Sequence, residues 1–208
     1  MNELTVLDNP IVKRDITILR DKLTTEEGFR TALARIAFAL SIEIAKTFEL
    51  KQTEVETPLE TTDGYELNKQ IVIVPILRAG LSMVEPFLKM LPNAKVGHIG
   101  LQRDEETLQP VDYYFKAPKA LDKSKTIVVD PMLATGGSAS AAFTYLKDKG
   151  ANDLVFASII AAPEGYEKMK NDHPDVPVFT ASLDRQLNEK GYIVPGLGDA
   201  GDRNYGTF

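Results

Sequence analysis

The chain has 208 residues, carries 24 Lys and Arg against 30 Asp and Glu for a net charge of −6, and contains no cysteine. This length suits one domain with a sizeable core, and the lack of cysteine excludes disulfides and thiolate chemistry. The acidic balance argues against a general nucleic-acid surface, and the apolar runs are too short to span a bilayer. With no signal-like apolar segment near the N-terminus, we expect a single cytoplasmic domain over residues 1–208.

The first third of the chain predicts an arm, a long helix and an extended stretch. Residues 1–21 mix charged and apolar side chains and are treated as an N-terminal arm. Thr24 followed by Glu27 has the pattern of a capping box, and apolar residues recur at helical spacing over 29–48. Residues 53–67 are polar and predict an extended segment that ends in a turn.

From residue 71 onward the pattern predicts strands that alternate with helices. Alternation of this kind indicates a parallel sheet covered on both faces, with ligands beyond the carboxyl ends of the strands. A charged stretch over 102–110 has no core face, and 113–115 is predicted to return antiparallel. The predicted strands are 71–76, 94–101, 126–130, 154–161 and 178–182, and the predicted helices are 80–91, 138–149 and 163–171.

The most informative stretch runs from Ile127 to Ser138. A β-branched strand ends in Asp130, and a loop of small residues with paired glycines and hydroxyls leads into the next helix. Glycines let backbone N–H groups approach an anion, and the helix dipole adds to the attraction. Because Asp130 would repel a bare phosphate, its partners are expected to be hydroxyls, which predicts a sugar phosphate. The P-loop lysine and the dinucleotide glycine pattern are both missing.

Two further segments predict ligand contacts. Arg78, in the turn over 75–80, follows a predicted strand and could bind a diphosphate through its planar guanidinium. The glycine-rich stretch over 191–207 also contains apolar residues and a proline, which favours a hood of fixed turns. Backbone N–H and C=O groups in such a hood can match the donors and acceptors of a small planar base.

Taken together, these segments resemble the type I phosphoribosyltransferases, and the C-terminal stretch closely resembles the uracil-binding segment of the uracil phosphoribosyltransferase family. Pro131 stands where many type I members have a second acid, as in the uracil branch, and Asn9 stands where that branch usually has histidine. The resemblance implies catalytic roles for Asp199, Arg78 and Arg103, and uracil contacts from Ile193, Gly198, Asp199 and Ala200. The implied contacts to phosphoribosyl diphosphate (PRPP) are Arg78, Arg103, Asp130, Pro131, Met132, Leu133, Ala134, Thr135, Gly136, Gly137, Ser138 and Asp199.

The resemblance also implies an α/β fold with a central parallel sheet flanked by helices, a flexible antiparallel loop that closes over PRPP, and a uracil-binding hood at 191–208. The expected reaction transfers the phosphoribosyl group to N1 of uracil and gives UMP and diphosphate. Mg²⁺ is expected with PRPP, held through water near Asp199 and not directly by protein ligands. A homodimer or larger homo-oligomer is implied, for which the apolar stretch 11–19 is available, and GTP is a possible effector.

Three alternatives stay open from the residues. A transferase for another base would share the PRPP loop, although an orotate enzyme would need a cation that residues 193–200 do not supply. A regulator that binds pyrimidine-rich mRNA would require a basic, aromatic-bearing patch. A sugar-phosphate binding module without turnover would not need both Arg78 and the hood. No nucleic-acid or membrane partner is expected.

Overall fold

The computed structural model describes residues 4–103 and 110–207, with side chains described at 4–100 and 114–207. A 3-10 turn at Leu121–Lys123 precedes the strand that leads to Asp130. The other elements, in chain order, are β1 (Leu4–Val6), α1 (Pro10–Arg20), α2 (Glu26–Ala45), β2 (Leu50–Glu56), β3 (Thr61–Leu67), β4 (Gln70–Leu77), α3 (Leu81–Met90), β5 (Lys95–Val96), β6 (His98–Arg103), β7 (Pro110–Lys116), β8 (Ser124–Val129), β9 (Met132–Leu133), α4 (Gly137–Asp148), β10 (Asp153–Ala161), α5 (Pro163–Asp172), β11 (Val178–Leu183), β12 (Gln186–Leu187), β13 (Ile193–Val194) and α6 (Ala200–Tyr205).

A mostly parallel sheet forms the centre of the molecule. Its strand order is β1-β11-β10-β8-β4-β6-β7, with the short β5 beside β4 and the short β9 beside β10. β7 pairs antiparallel with β6, and the other pairs in this sheet are parallel. The predicted alternation of strands and helices, the parallel sheet and the antiparallel return at 113–115 are therefore confirmed.

Successive residues of the central strands bury their side chains on opposite faces of the sheet. Ile73 and Val129 pack in the core that includes α1, α2 and α3, whereas Val74 and Val128 pack in the core that includes α4. Because both faces are covered, β4, β8 and β10 read as continuous apolar runs. None of the helices in the described ranges combines the length and the apolar character needed to cross a bilayer.

The N-terminal arm and the first cap differ from the sequence predictions. Residues 4–20 form a strand and a helix, and the Asn9 side chain caps α1 by accepting from the N–H of Ile11 at 2.8 Å. The N-cap of α2 is Thr25, which accepts from Gly28 N–H at 3.2 Å. The prediction of Thr24 was wrong because its hydroxyl donates instead to the carbonyl of Ile18 at 2.7 Å.

The polar stretch after α2 forms an antiparallel hairpin of β2 and β3 that is largely exposed. Apolar side chains on this hairpin face solvent, among them Leu59 at 95% and Tyr65 at 66% exposure. The predicted strand over 94–101 is divided into β5 and β6. Gly97 separates them, and a Cβ there would come within 3.0 Å of Ala117 Cβ.

Candidate active site at the carboxyl edge of the sheet

Two glycines, one in the loop between β9 and α4 and one in α5, allow this loop to pack closely against α5. Gly136 has a φ of +77°, and a Cβ on it would lie 2.8 Å from the carbonyl oxygen of Gly165. A Cβ on Gly165 would in turn lie 2.4 Å from the carbonyl oxygen of Ala134. Gly136 is the N-cap of α4 and has no side chain with which to cap the first-turn N–H groups. N–H groups in this position are suited to an anion, and the phosphate contacts assigned to the cradle at 135–138 stay predictions.

Asp130 follows β8 and is half-buried at the start of this loop. Its backbone N–H donates to the carbonyl of Ala157 at 3.1 Å, and its Oδ1 accepts from the N–H of Met132 at 3.3 Å. Burial raises the pKa of Asp130 to about 7; the negative charge of Asp199 adds to this rise and the Met132 hydrogen bond opposes it. Partners that donate hydrogen bonds, such as the hydroxyls of a sugar, would stabilise the charged form of a carboxylate held here.

Arg78 lies in the turn between β4 and α3, next to the end of β8. This turn packs closely against the end of β8, since a Cβ on Gly80 would lie only 2.5 Å from the carbonyl oxygen of Val129. The Leu77–Arg78 peptide bond is cis. Arg78 Nη2 donates to Asp202 Oδ1 at 2.8 Å, and Nη1 donates to Thr207 Oγ1 at 3.1 Å. The side chain remains 54% exposed, so an anion in solution can reach the guanidinium.

Asp202 was missed by the sequence reasoning, since 124 positions separate it from Arg78. Hydrogen bonds from Thr207 and Arg78 lower the pKa of Asp202, which keeps its carboxylate charged beside the guanidinium. The only sequence signal was its position within the glycine-rich C-terminal stretch. Arg78 is thus held in place by the C-terminal segment.

The C-terminal hood contains more regular structure than the predicted set of turns. β13 pairs antiparallel with β12, which lies just before the hood. α6 follows Asp199, whose carboxylate caps this helix by accepting from Asp202 N–H at 2.9 Å. The side chains of Ile193 and Ala200 are buried, and their assigned contacts to uracil stay predictions. Gly198 is exposed and has a φ of +80°.

Several contacts bring the three predicted segments together at one edge of the sheet. A Cβ on Gly201 would lie 3.2 Å from Asp199 Oδ1 and 3.3 Å from Arg78 Nη2, so this glycine lies between the hood and the turn after β4. A Cβ on Gly191 would lie 3.7 Å from Thr135 Cγ2, which places the start of the hood beside the phosphate cradle. The edge therefore brings together the first-turn N–H groups of α4, the carboxylates of Asp130, Asp199 and Asp202, and the guanidinium of Arg78.

One predicted contact is left without side-chain geometry. Arg103 is the last residue of β6, and its side chain lies outside the described residues. The predicted closing loop spans 102–110, and its residues 104–109 also lie outside the described ranges. The roles assigned to both stay predictions.

A family model described as uracil phosphoribosyltransferase matches residues 6–207 of the chain. Relatives named uracil phosphoribosyltransferase match at full length. One from Salinibacter ruber is 52% identical over 207 residues, covering 100% of this chain and 99% of that protein. Another from Dictyoglomus thermophilum is 56% identical over 203 residues, covering 97% and 98%.

Solved structures support the same fold. The AQ2163 protein from Aquifex aeolicus superposes with a TM-score of 0.92 at 39% identity, covering 99% of both chains. An adenine phosphoribosyltransferase from Trypanosoma brucei, in complex with AMP, pyrophosphate and ribose-5-phosphate, gives a TM-score of 0.58 at 14% identity, covering 92% of this chain and 88% of that one. The second likeness concerns the fold alone, which is that of the type I phosphoribosyltransferases. By the extent of these matches, the chain belongs to the uracil phosphoribosyltransferase family.

Proposed function

We propose that this chain transfers the 5-phosphoribosyl group of PRPP to N1 of uracil, giving UMP and diphosphate in pyrimidine salvage. The observation that carries the proposal is the meeting of the phosphate cradle, Arg78 and the hood at one edge of the sheet. Membership of the uracil phosphoribosyltransferase family supports the choice of base.

The PRPP half of the site divides into three anchors. The N-terminus of α4 and the hydroxyls of Thr135 and Ser138 would receive the 5′-phosphate. Asp130 would accept hydrogen bonds from the ribose hydroxyls, which favour its charged form. Arg78 would bind the diphosphate bidentately, either sharing the guanidinium with Asp202 or displacing it. These anchors would fix the anomeric carbon relative to the base.

The uracil half relies on the backbone of the hood. Ile193, Gly198 and Ala200 are assigned to uracil, whose two carbonyls and two N–H groups can pair with peptide groups. Side chains from Ile193 to Ala200 include no cation, which disfavours the carboxylate of orotate. A site that hydrogen-bonds every polar edge of one base rejects a base that leaves such groups unpaired.

Mg²⁺ fits this arrangement as a companion of PRPP. Within the described ranges, no group of three or more His, Cys, Asp or Glu side chains is placed to hold a metal ion. Asp130 and Asp199 are close enough for the charge of Asp199 to raise the pKa of Asp130, and a cation carried by PRPP would relieve this repulsion. When bound, Mg²⁺ would neutralise diphosphate charge and keep water ligands, one of which Asp199 would orient.

In the proposed reaction, uracil N1 attacks the anomeric carbon from the face opposite the diphosphate, which inverts the configuration. The bond to the departing oxygen breaks as the N1 bond forms, and the N1 proton leaves to solvent or to Asp199. Negative charge grows on the diphosphate as it departs, so Arg78 and Arg103 would stabilise the transition state more than the bound substrate. Closure of the predicted loop at 102–110 would exclude water and suppress hydrolysis of PRPP.

A base panel tests the proposal. Purified protein with PRPP and Mg²⁺ is given uracil, hypoxanthine, orotate or cytosine, and nucleotide formation is measured. UMP formed from uracil alone supports the assignment. Turnover of another base instead of uracil would indicate a phosphoribosyltransferase of different base specificity. In a separate binding titration, RNA binding with a strong salt dependence would favour the mRNA regulator.

Assembly and regulation belong to the same proposal. An apolar groove of about 710 Å³ lies between α1, α2 and α3, away from the predicted site. Ile11, Phe38 and Ile42 line it and are 37–52% exposed, which supports a homodimer or larger homo-oligomer. Sedimentation of the wild type and of Ile42→Asp tests this point. GTP is proposed as an effector from the family resemblance, and assays with and without GTP test it.

A further inference from the structure

A buried ion pair lies beneath the hood and outside the predicted site. Arg20, the last residue of α1, donates from Nη2 to Asp184 Oδ1 at 2.5 Å and from Nη1 to Asp184 Oδ2 at 2.8 Å. The Asp184 side chain is 1% exposed and that of Arg20 is 25% exposed. Ser182 completes the group: its hydroxyl donates to Asp184 Oδ1 at 3.0 Å and accepts from Arg20 at 3.1 Å. The pair joins residues 164 positions apart.

Both partners of this ion pair bind the backbone of one hood residue, Gly196. Its N–H donates to Asp184 Oδ2 at 2.9 Å, and its carbonyl accepts from Arg20 Nη1 at 3.1 Å. Gly196 has a φ of +65°, and a Cβ there would lie 2.2 Å from the carbonyl oxygen of Ile193. The hood therefore turns sharply between Ile193 and Gly198, and side chains of other elements hold the turn.

A second arginine holds the next residue of the turn. Arg203 donates to the carbonyl of Leu197 at 2.8 Å and to the carbonyls of Leu19 and Asp21, the latter at 2.7 Å. Its guanidinium also lies 4.6 Å from the centre of the Phe29 ring. The backbone at 196–197 is consequently fixed from both sides to the end of α1.

The chemistry of this group of side chains indicates that it fixes the backbone conformation of the hood and does not serve stability alone. Burial would by itself raise the pKa of Asp184, but Arg20 and the Gly196 N–H hold the pKa below its ordinary value, so the carboxylate stays charged. A buried ion pair contributes little net stability compared with apolar residues of similar size, and its best-attested use is to fix one arrangement. Here the arrangement fixed is the peptide backbone of the hood.

Building on the proposed function, we propose that Arg20 and Asp184 are positioning residues for uracil recognition. They touch no substrate; they set the direction of the peptide groups between the assigned uracil contacts Ile193 and Gly198. Since the hood reads uracil through its backbone, a small rotation of these peptides weakens several hydrogen bonds at once. The PRPP anchors that follow β4 and β8 and open α4 do not contact this ion pair, and Asp199 is the one assigned PRPP contact within the hood. PRPP binding should therefore depend on the ion pair less than uracil binding does.

The test uses Asp184→Asn in the full-length protein, with KM for uracil, KM for PRPP and kcat measured separately. We expect KM for uracil to rise about tenfold or more, with KM for PRPP changing less than about twofold. Ser182→Ala, a milder change to the same group, is expected to raise KM for uracil by about two- to threefold. It keeps the proposal testable if Asp184→Asn fails to fold.

Asp15→Asn is the matched control. Asp15 is equally buried and is paired with Arg35 at 2.7 Å, but its partners lie on α1 and α2 and not in the hood. This variant should lose stability without any selective change in KM for uracil. A purely structural role for Asp184 would make the two variants behave alike.

The inference would be overturned if KM for uracil were unchanged in both Asp184→Asn and Ser182→Ala. An equal rise of KM for uracil and KM for PRPP in these variants would overturn it as well. Wild-type protein that forms no UMP would instead refute the proposed function. In that case hydrogen exchange over 193–198 decides separately: faster exchange in Asp184→Asn than in Asp15→Asn supports the positioning role, and equal exchange refutes it.

Discussion

Replacing Asp130 with asparagine should stabilise the protein at alkaline pH while it impairs use of PRPP. The pKa of Asp130 is about 7 in the folded protein against 3.8 for an unperturbed carboxyl. The folded state therefore binds more protons than the unfolded state between these pH values. The stability that the protonated Asp130 contributes is complete below pH 3.8 and is lost as the pH rises through about 7. Asparagine stays neutral at every pH, so the variant does not lose this stability as the pH rises.

The size of the effect follows from the two pKa values. The difference between about 7 and 3.8, at about 1.36 kcal/mol per pH unit, gives an upper bound of roughly 4 kcal/mol at pH 8. For a chain of 208 residues, each kcal/mol shifts Tm by about 2–4 °C. Asp130→Asn should therefore melt several degrees above wild type at pH 8, with the gap closing near pH 4. Its kcat/KM for PRPP should fall because the amide accepts fewer bonds from the ribose hydroxyls.

Asp153→Asn provides a control of opposite sign. Burial alone would raise the pKa of Asp153, but Lys69 and Lys125, each within 2.9 Å, bring it below its ordinary value. Stability from this group is present above the unfolded pKa and is lost in acid, so the variant should melt lower than wild type at pH 8. Thermal unfolding between pH 4 and 8 measures both. A pH-independent Tm difference for Asp130→Asn, or a lower Tm at pH 8, would refute the reasoning.

Three further changes test individual anchors. Arg78→Ala should cost on the order of 1.5–3 kcal/mol in kcat/KM for PRPP, with KM for uracil nearly unchanged; an unchanged response to PRPP would remove Arg78 from the diphosphate site. Asp199→Asn should lower kcat with a weaker dependence on Mg²⁺, and near-normal turnover would contradict both roles assigned to Asp199. Gly136→Ala should weaken PRPP binding, measured by calorimetry, because its φ of +77° and the carbonyl of Gly165 at 2.8 Å leave no room for a Cβ. The control Gly150→Ala shares a positive φ but is open around the added Cβ, so binding that falls equally in both variants would contradict this explanation.

The sheet could be predicted from the sequence because both of its faces are buried. Strands such as β8 and β10 are continuous apolar runs, and the helices between them have their own spacing. The turns at 75–80 and 127–138 could be placed at strand ends because apolar runs lead directly into glycine-containing segments, and their roles in binding stay predictions. Local patterns of this kind depend only on neighbours in the chain.

Features that depend on distant residues could not be predicted. Residues 4–20 look mixed in sequence, yet β1 adds to β11 and α1 buries Val12, Ile16 and Leu19. The short helix α6 is a local feature that was also missed, since the glycine-rich sequence hides the cap that Asp199 provides. The Arg20–Asp184 pair joins opposite ends of the chain, and nothing near either residue indicates the other.

The most direct measurement follows uracil consumption, UMP formation and diphosphate release together, with purified protein, PRPP and Mg²⁺. Transfer to uracil predicts that all three change in equal amounts and that diphosphate release stops when uracil is left out. Diphosphate released without UMP would mean hydrolysis of PRPP. Saturable PRPP binding with no turnover of uracil would contradict the transferase and favour a protein that only binds PRPP.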